Sequence, residues 1–398
     1  MSTSPIALAG RMAHVGLSPI MKGTMEAERL RRQGVDVVDL GAGEPDFATP
    51  AHIAAAAHAA LDQHFTKYTA NAGIIELREA IATRYREDHG VSFASDEIIV
   101  TAGGKQALFH AALALFGPGD EVVTHMPGWP TLVEQVKLAG ATPVVVRTRA
   151  DQDFAVTADV LLSGVTSRTR GIIINSPTNP TGALMSDDDA RVVATEAARR
   201  GLWIVLDLCY DRLVYDNVSH RLPAIFTEWL RDRTVICGSA SKAYAMTGWR
   251  CGWLAGPRAV AQAAGALQSH ETSNVNSITQ KAAVAALTGP QASIGEMLAE
   301  YHVRRDRLRA WLAEEPRLAS VVPRGAFYLF PTVQPFLSST GCRTSMEFAE
   351  RLLQDEHVVV TAGEAFDTPG YIRLSYATSL GRLREGATRL IRFARRLA

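Results

Sequence analysis

Between about Glu76 and Gly289, short β-branched runs alternate with longer stretches of helical periodicity, the pattern of a mostly parallel sheet covered by helices. Seven runs read as strands: EIIVT at 97–101, EVVTH at 121–125, PVVVR at 143–147, GIIIN at 171–175, WIVLD at 203–207, TVICG at 234–238 and CGWLAG at 251–256. The fold class is therefore α/β with a seven-stranded, mostly parallel sheet. Several strands run straight into polar or Gly-rich turns, and ligands of open α/β sheets sit beyond the carboxyl ends of strands. The turns TAGGK, NSPTNPTG, DLCYD and GSASK are thus expected to build the site.

From Pro290 the pattern changes. A long charged helix leads to AFYLF at 326–330, a helix near 345–354, VVV at 358–360, YIRLS at 371–375 and a basic terminal helix. These imply a smaller α+β domain at 291–398, beside a large domain at 46–290 and an arm at 1–45 that packs with the small one.

The 398 residues are 47% hydrophobic and carry 41 basic and 41 acidic side chains. That balance cancels the long-range field that nucleic acid or an anionic membrane surface would need, so neither is an expected partner. No run approaches the roughly 18 apolar residues of a membrane span, and the first residues lack a signal-peptide pattern. A soluble, cytoplasmic protein is expected. Cys209, Cys237, Cys251 and Cys342 form no Cys-x-x-Cys pair and read as thiols. The histidines at 52, 58 and 64 are six apart and share no helix face, so no metal site is expected.

TAGGKQAL passes from a strand through two glycines into a helix, a geometry suited to a phosphate. It is not a Walker loop, because Gln106 stands where Ser or Thr would bind magnesium and Ile99 where the first glycine belongs. Lys242 is one of only six lysines and lies in the loop GSASKAYAMTGWRCGW. Two chemistries fit it. Ser239 and Lys242 make a Ser-x-x-Lys acyl-transfer pair, or Lys242 is a Schiff-base lysine made nucleophilic by desolvation or cationic neighbours. Asn179, Asp207 and Tyr210 add a neutral donor, a carboxylate and a phenol at strand ends, as a pyridoxal phosphate site requires.

With these residues the chain resembles the class I/II aminotransferases of fold type I, in their aspartate and aromatic branch. The resemblance runs from about Leu17 to the C-terminus through GEPDF, TKYTANAGIIELREAI, TAGGKQAL, NSPTNPTG, SKAYAMTGWRCGW and YIRLSYATS. It implies pyridoxal 5'-phosphate, an internal aldimine at Lys242, and amino transfer from an L-α-amino acid to a 2-oxo acid through pyridoxamine phosphate. It pairs Asp207 with the pyridine nitrogen and Asn179 and Tyr210 with the phenolic oxygen. Ser239, Arg250 and the backbone of Gly104 and Lys105 would hold the phosphate, and Trp129 would stack on the ring. Arg373 would grip the substrate α-carboxylate, Gly43 would let the substrate approach the backbone, and Tyr68 would reach the phosphate of a second subunit in a homodimer. A β-eliminating lyase is the rival inside the family and the Ser239 acyl hydrolase the rival outside it.

Leu208 departs from the family, which usually has Glu there, and leaves Asp211 as the nearest acid. The Asn179–Pro180 bond is expected to be cis, to bring Asn179 back over the ring. The stretch 261–279 contains neither Arg nor Lys, so neutral or aromatic donors are expected to surpass aspartate unless Lys22, Lys105 or an N-terminal residue supplies a cation.

Overall fold

The structure, a computed structural model, describes residues 12, 16, 19–337 and 342–397, with the side chains of 19–24 outside that description. Lys22 is therefore not among the side chains described.

Seven strands form one sheet: β2 (Ile98–Thr101), β3 (Glu121–Met126), β4 (Thr142–Arg147), β5 (Thr169–Asn175), β6 (Trp203–Asp207), β7 (Thr234–Ser239) and β8 (Gly252–Ala255), the first strand, β1 (Val38–Asp39), lying elsewhere. Each overlaps an expected run. Their spatial order is β2-β8-β7-β6-β5-β3-β4. The strands β3 to β7 run parallel, and β8 runs antiparallel to both of its neighbours, β2 and β7. Helices cover both faces, so the central strands are almost wholly buried and carry apolar runs such as Ile-Val-Leu in β6 and Val-Ile-Cys in β7.

The reversed strand shapes the site. Parallel strands deliver the residues that follow them to the carboxyl edge, whereas an antiparallel strand delivers the residues that precede it. The loop between β7 and β8 therefore starts and finishes at one edge, carrying both Lys242 and Arg250 there.

The C-terminal part holds β9 (Tyr328–Leu329), β10 (Val358–Val359), β11 (Thr361–Ala362) and β12 (Ile372–Ser375). The antiparallel order is β11-β12-β9, and β10 pairs in parallel with β1. The expected AFYLF strand shortens to two residues because Ala326 takes a left-handed φ of 58°, which breaks extended backbone before the ladder begins. This core is mainly aliphatic but holds many aromatic residues, among them Tyr301, Phe327, Tyr328, Phe336, Phe348 and Phe393. Among the described residues, no helix is long and apolar enough to cross a membrane.

Candidate active site

The register of the sheet sets Asn175, the last residue of β5, directly beside Asp207, the last of β6. Asn175 Nδ2 donates to Asp207 Oδ2 at 3.0 Å, and the Cys209 N–H donates to Oδ1 at 3.2 Å. The carboxylate is only 2% exposed and forms no ion pair among the described residues, and burial raises its pKa to about 6. A cationic ring nitrogen is the partner such a group lacks. Asn175 also accepts the Asn179 N–H at 3.0 Å, and the Asn179–Pro180 bond is cis, as the turn predicts. Nothing in the motifs singles out Asn175, whose part depends on cross-strand register.

Lys242 follows β7 by three residues and donates from Nζ to the carbonyl of Gly43. Burial lowers its pKa from 10.5 to about 8, with Arg373 and Arg250 adding to the effect against Cys209 and Glu44. Ser239 Oγ donates to Ser241 Oγ at 2.8 Å rather than engaging Lys242, so the acyl-transfer pair is not assembled.

The helix Gly104–Leu115 begins without a side-chain cap. The amides of Gly104 and Lys105 have no acceptor among the described residues, and they carry the positive end of the helix dipole. Ser239 and Ser241 approach from the end of β7. Arg250 reaches the same turn, donating from Nη1 to Thr247 O at 3.0 Å and from Nη2 to Ala102 O at 3.3 Å. Gly103 takes a left-handed φ of 83°, which would strain any residue with a Cβ, and a Cβ there would also push against Arg250 Nη2.

Arg373 projects from β12 and is 2% exposed. Its Nη1 donates to Asn179 Oδ1 at 2.9 Å and its Nη2 to Gly41 O at 2.8 Å, while Nε has no partner. Its guanidinium lies 4.3 Å from the Tyr328 ring centre. Among the described residues no carboxylate pairs with it, so a buried cation waits for an anion. Because Oδ1 of Asn179 accepts from an arginine, the amide nitrogen is the atom left to donate elsewhere. The Tyr210 hydroxyl meets that of Tyr328 at 2.8 Å, and burial pushes the pKa of both phenols up.

All of these groups line one cavity of about 360 Å³ together with Trp129 and Gly43. Lys105 Nζ lies 5.1 Å from the Trp129 ring centre and also faces a larger open groove of about 860 Å³. Tyr68 does not line the cavity; it is 90% exposed. Leu208 points into the hydrophobic core, and Asp211 faces His89 at 3.4 Å, so neither enters the cavity. Tyr328, Ser241, Cys209 and Thr247 also enter it; Ser241 and Thr247 lie within SKAYAMTGWRCGW and Cys209 within DLCYD, but nothing in those motifs distinguishes them from their neighbours. A desolvated lysine, a cation-seeking carboxylate, an aromatic wall, an uncapped helix start and a buried arginine together fit pyridoxal phosphate with an amino-acid substrate.

A family profile described as "Aminotransferase class I and II" matches residues 35–390. The chain is 40% identical over 386 residues to an aspartate aminotransferase of Geobacillus stearothermophilus, covering 97% of this chain and 98% of that one. It is 39% identical to an aspartate/prephenate aminotransferase of Cereibacter sphaeroides, covering 97% and 98%. Among solved structures, the aspartate aminotransferase from Thermus thermophilus with maleate superposes with a TM-score of 0.92 at 37% identity, covering 98% of this chain and 100% of that one. That from Rhizobium meliloti gives 0.92 at 38%, covering 99% and 100%.

Proposed function

The chain belongs to the class I and II aminotransferases and is a pyridoxal-phosphate-dependent enzyme of fold type I; from that premise we propose how its own residues divide the work. It transfers the amino group of an amino acid to a 2-oxo acid. When bound, the cofactor supplies an electron sink that lets a Cα proton leave.

Lys242 anchors the cofactor and carries the proton from Cα, which requires a free amine; lowering its pKa from 10.5 to about 8 raises the free fraction at neutral pH to about a tenth, which supports this. Asp207 holds the proton on the ring nitrogen. Asn179, through its amide nitrogen, and Tyr210 bond the phenolic oxygen, and Trp129 covers the ring. The amides of Gly104 and Lys105, with Ser239 and Arg250, hold the phosphate. Arg373 takes the α-carboxylate as a two-pronged fork, and Gly43 leaves the substrate room at the backbone. The observation that carries this reading is the buried arginine without an acid, sharing one cavity with the desolvated lysine and the unpaired carboxylate.

Aspartate is the donor we favour. The expectation of a neutral donor rests on the lack of a cation after the GWRCGW motif, but Lys105 faces the cavity with no ion pair among the described residues. Its amine is available to a distal carboxylate, and several relatives are named aspartate aminotransferases. We also read the enzyme as a cytoplasmic homodimer. The exposure of Tyr68 and the open groove beside Arg250 and Lys105 favour a second copy closing the site.

Lys242→Ala is expected to leave a folded protein that binds the cofactor without a borohydride-reducible link. A retained link would move the anchor to another lysine. Single-turnover rates should place aspartate above neutral donors, and Lys105→Met should reverse the order; an unchanged order would remove Lys105 from substrate recognition. Mixing Tyr68→Phe with Lys242→Ala subunits should restore one intact site per heterodimer, and no recovery after proven exchange would count against sharing.

A further inference from the structure

The phosphate turn lacks intrinsic stiffness. It contains two adjacent glycines and no side-chain cap, yet its amides must point into the cavity. Two buried amide side chains hold it from outside. Gln106, 9% exposed, accepts the Ala102 N–H on Oε1 at 2.6 Å and donates from Nε2 to Thr272 Oγ1 at 3.1 Å. Gln135, 6% exposed, donates to the Lys105 carbonyl at 2.8 Å from the helix Pro130–Leu138. Thr272 caps the helix Arg258–Glu271, and one turn beyond Gln106 the buried His110 meets Glu271 at 2.6 Å.

A buried contact between helices is ordinarily apolar, since burying amides is unfavourable unless they are hydrogen-bonded. Here the partners of Gln106 and of the Gln135 amide nitrogen include backbone of the turn itself, while Gln135 Oε1 has no partner among the described residues. Both hydrogen bonds fall on Ala102 and Lys105, which flank the glycine pair.

We propose that Gln106 and Thr272, opposed by Gln135, are positioning residues that preform the phosphate cradle before the cofactor arrives. The inference rests on the reading that this turn receives the phosphate. Preorganised donors bind without first being ordered, so loosening the clamp weakens phosphate binding specifically.

The test compares pyridoxal phosphate with pyridoxal, which lacks the phosphate, using cofactor-stripped protein and equilibrium dissociation constants. Gln106→Met is expected to weaken pyridoxal phosphate about tenfold, roughly 1.4 kcal/mol, and pyridoxal by less than about twofold. Thr272→Val should act in the same direction, Thr272→Ser should restore binding, and the double variant should be no worse than Gln106→Met alone. Equal losses for both ligands, no loss, or additive effects would overturn the proposal. If Gln106→Met does not fold, the ratio measured for Thr272→Val decides alone. A native protein that binds the two ligands equally would show instead that the turn is no phosphate seat, removing the premise and the proposal with it.

Discussion

Arg250 and Arg373 line one cavity and are held by different means. Arg250 is exposed, sits in a loop at φ 55° and bonds two backbone carbonyls beside free amides and serine hydroxyls. Arg373 is buried on a strand, stacked on Tyr328 and bonded to neutral acceptors. In the roles proposed above, the first would be one donor among several around an anion that stays, and the second alone would meet an anion that changes at every turnover. A distributed cradle tolerates the loss of one member. A single buried fork does not.

The largest expected effect is on the fork. Arg373→Lys keeps the charge but loses the planar pair of donors, and kcat/KM for the amino acid should fall about 10²- to 10³-fold, roughly 2.7–4 kcal/mol. Cofactor affinity should stay within about twofold. A loss below tenfold, or an equal loss of cofactor, would erase the distinction between the two arginines.

Next comes the pH response of Lys242, which feels both arginines and, above all, its burial. In cofactor-free protein its reductive methylation, followed by peptide mass, should rise about tenfold per pH unit up to about 8 and then level off. A rise continuing toward 10.5 would indicate a solvated amine. The sign for stability follows from the same shift. A folded-state pKa below the unfolded one means the unfolded chain binds the proton more tightly, so this group's penalty is full below about 8 and fades as the pH approaches 10.5.

The smallest effect belongs to the cradle. Arg250→Lys should raise the cofactor dissociation constant about tenfold, equivalent to one charge-assisted hydrogen bond of about 1.5 kcal/mol, and leave the amino-acid KM unchanged at saturating cofactor. A change in that KM would tie Arg250 to the substrate.

The same contrast explains what the chain discloses in one dimension. Most of the seven strands are legible because they are buried and rich in β-branched residues, although β4 at the edge is only partly buried and β8 is Gly-Trp-Leu-Ala, and the turns that follow the strands are legible as polar breaks. Asn175 lies within one of those breaks, yet its bond to Asp207 depends on the register of β5 against β6. Tyr328 meets Tyr210 across 118 residues through a strand only two residues long, a pairing that no local period specifies. Lys105 shows the converse: it is plain in the Gly-Gly-Lys turn, but only the folded chain sets its amine 5.1 Å from the ring centre of Trp129, another residue of the cavity wall.

The antiparallel β8 also sets a timetable. Within the sheet, β2 pairs only with β8, whose residues follow about 150 positions later, so at about 5–20 residues per second the ribosome needs about 8 to 30 seconds to supply the partner. During synthesis the strand leading into the Gly-Gly turn waits as an open edge, and the cavity wall that this turn forms closes late. Stalled nascent chains ending before Gly252 should be cut by protease near 98–101, while chains carrying Ala255 clear of the exit tunnel should resist. Early protection would mean that β2 finds a temporary neighbour while still on the ribosome.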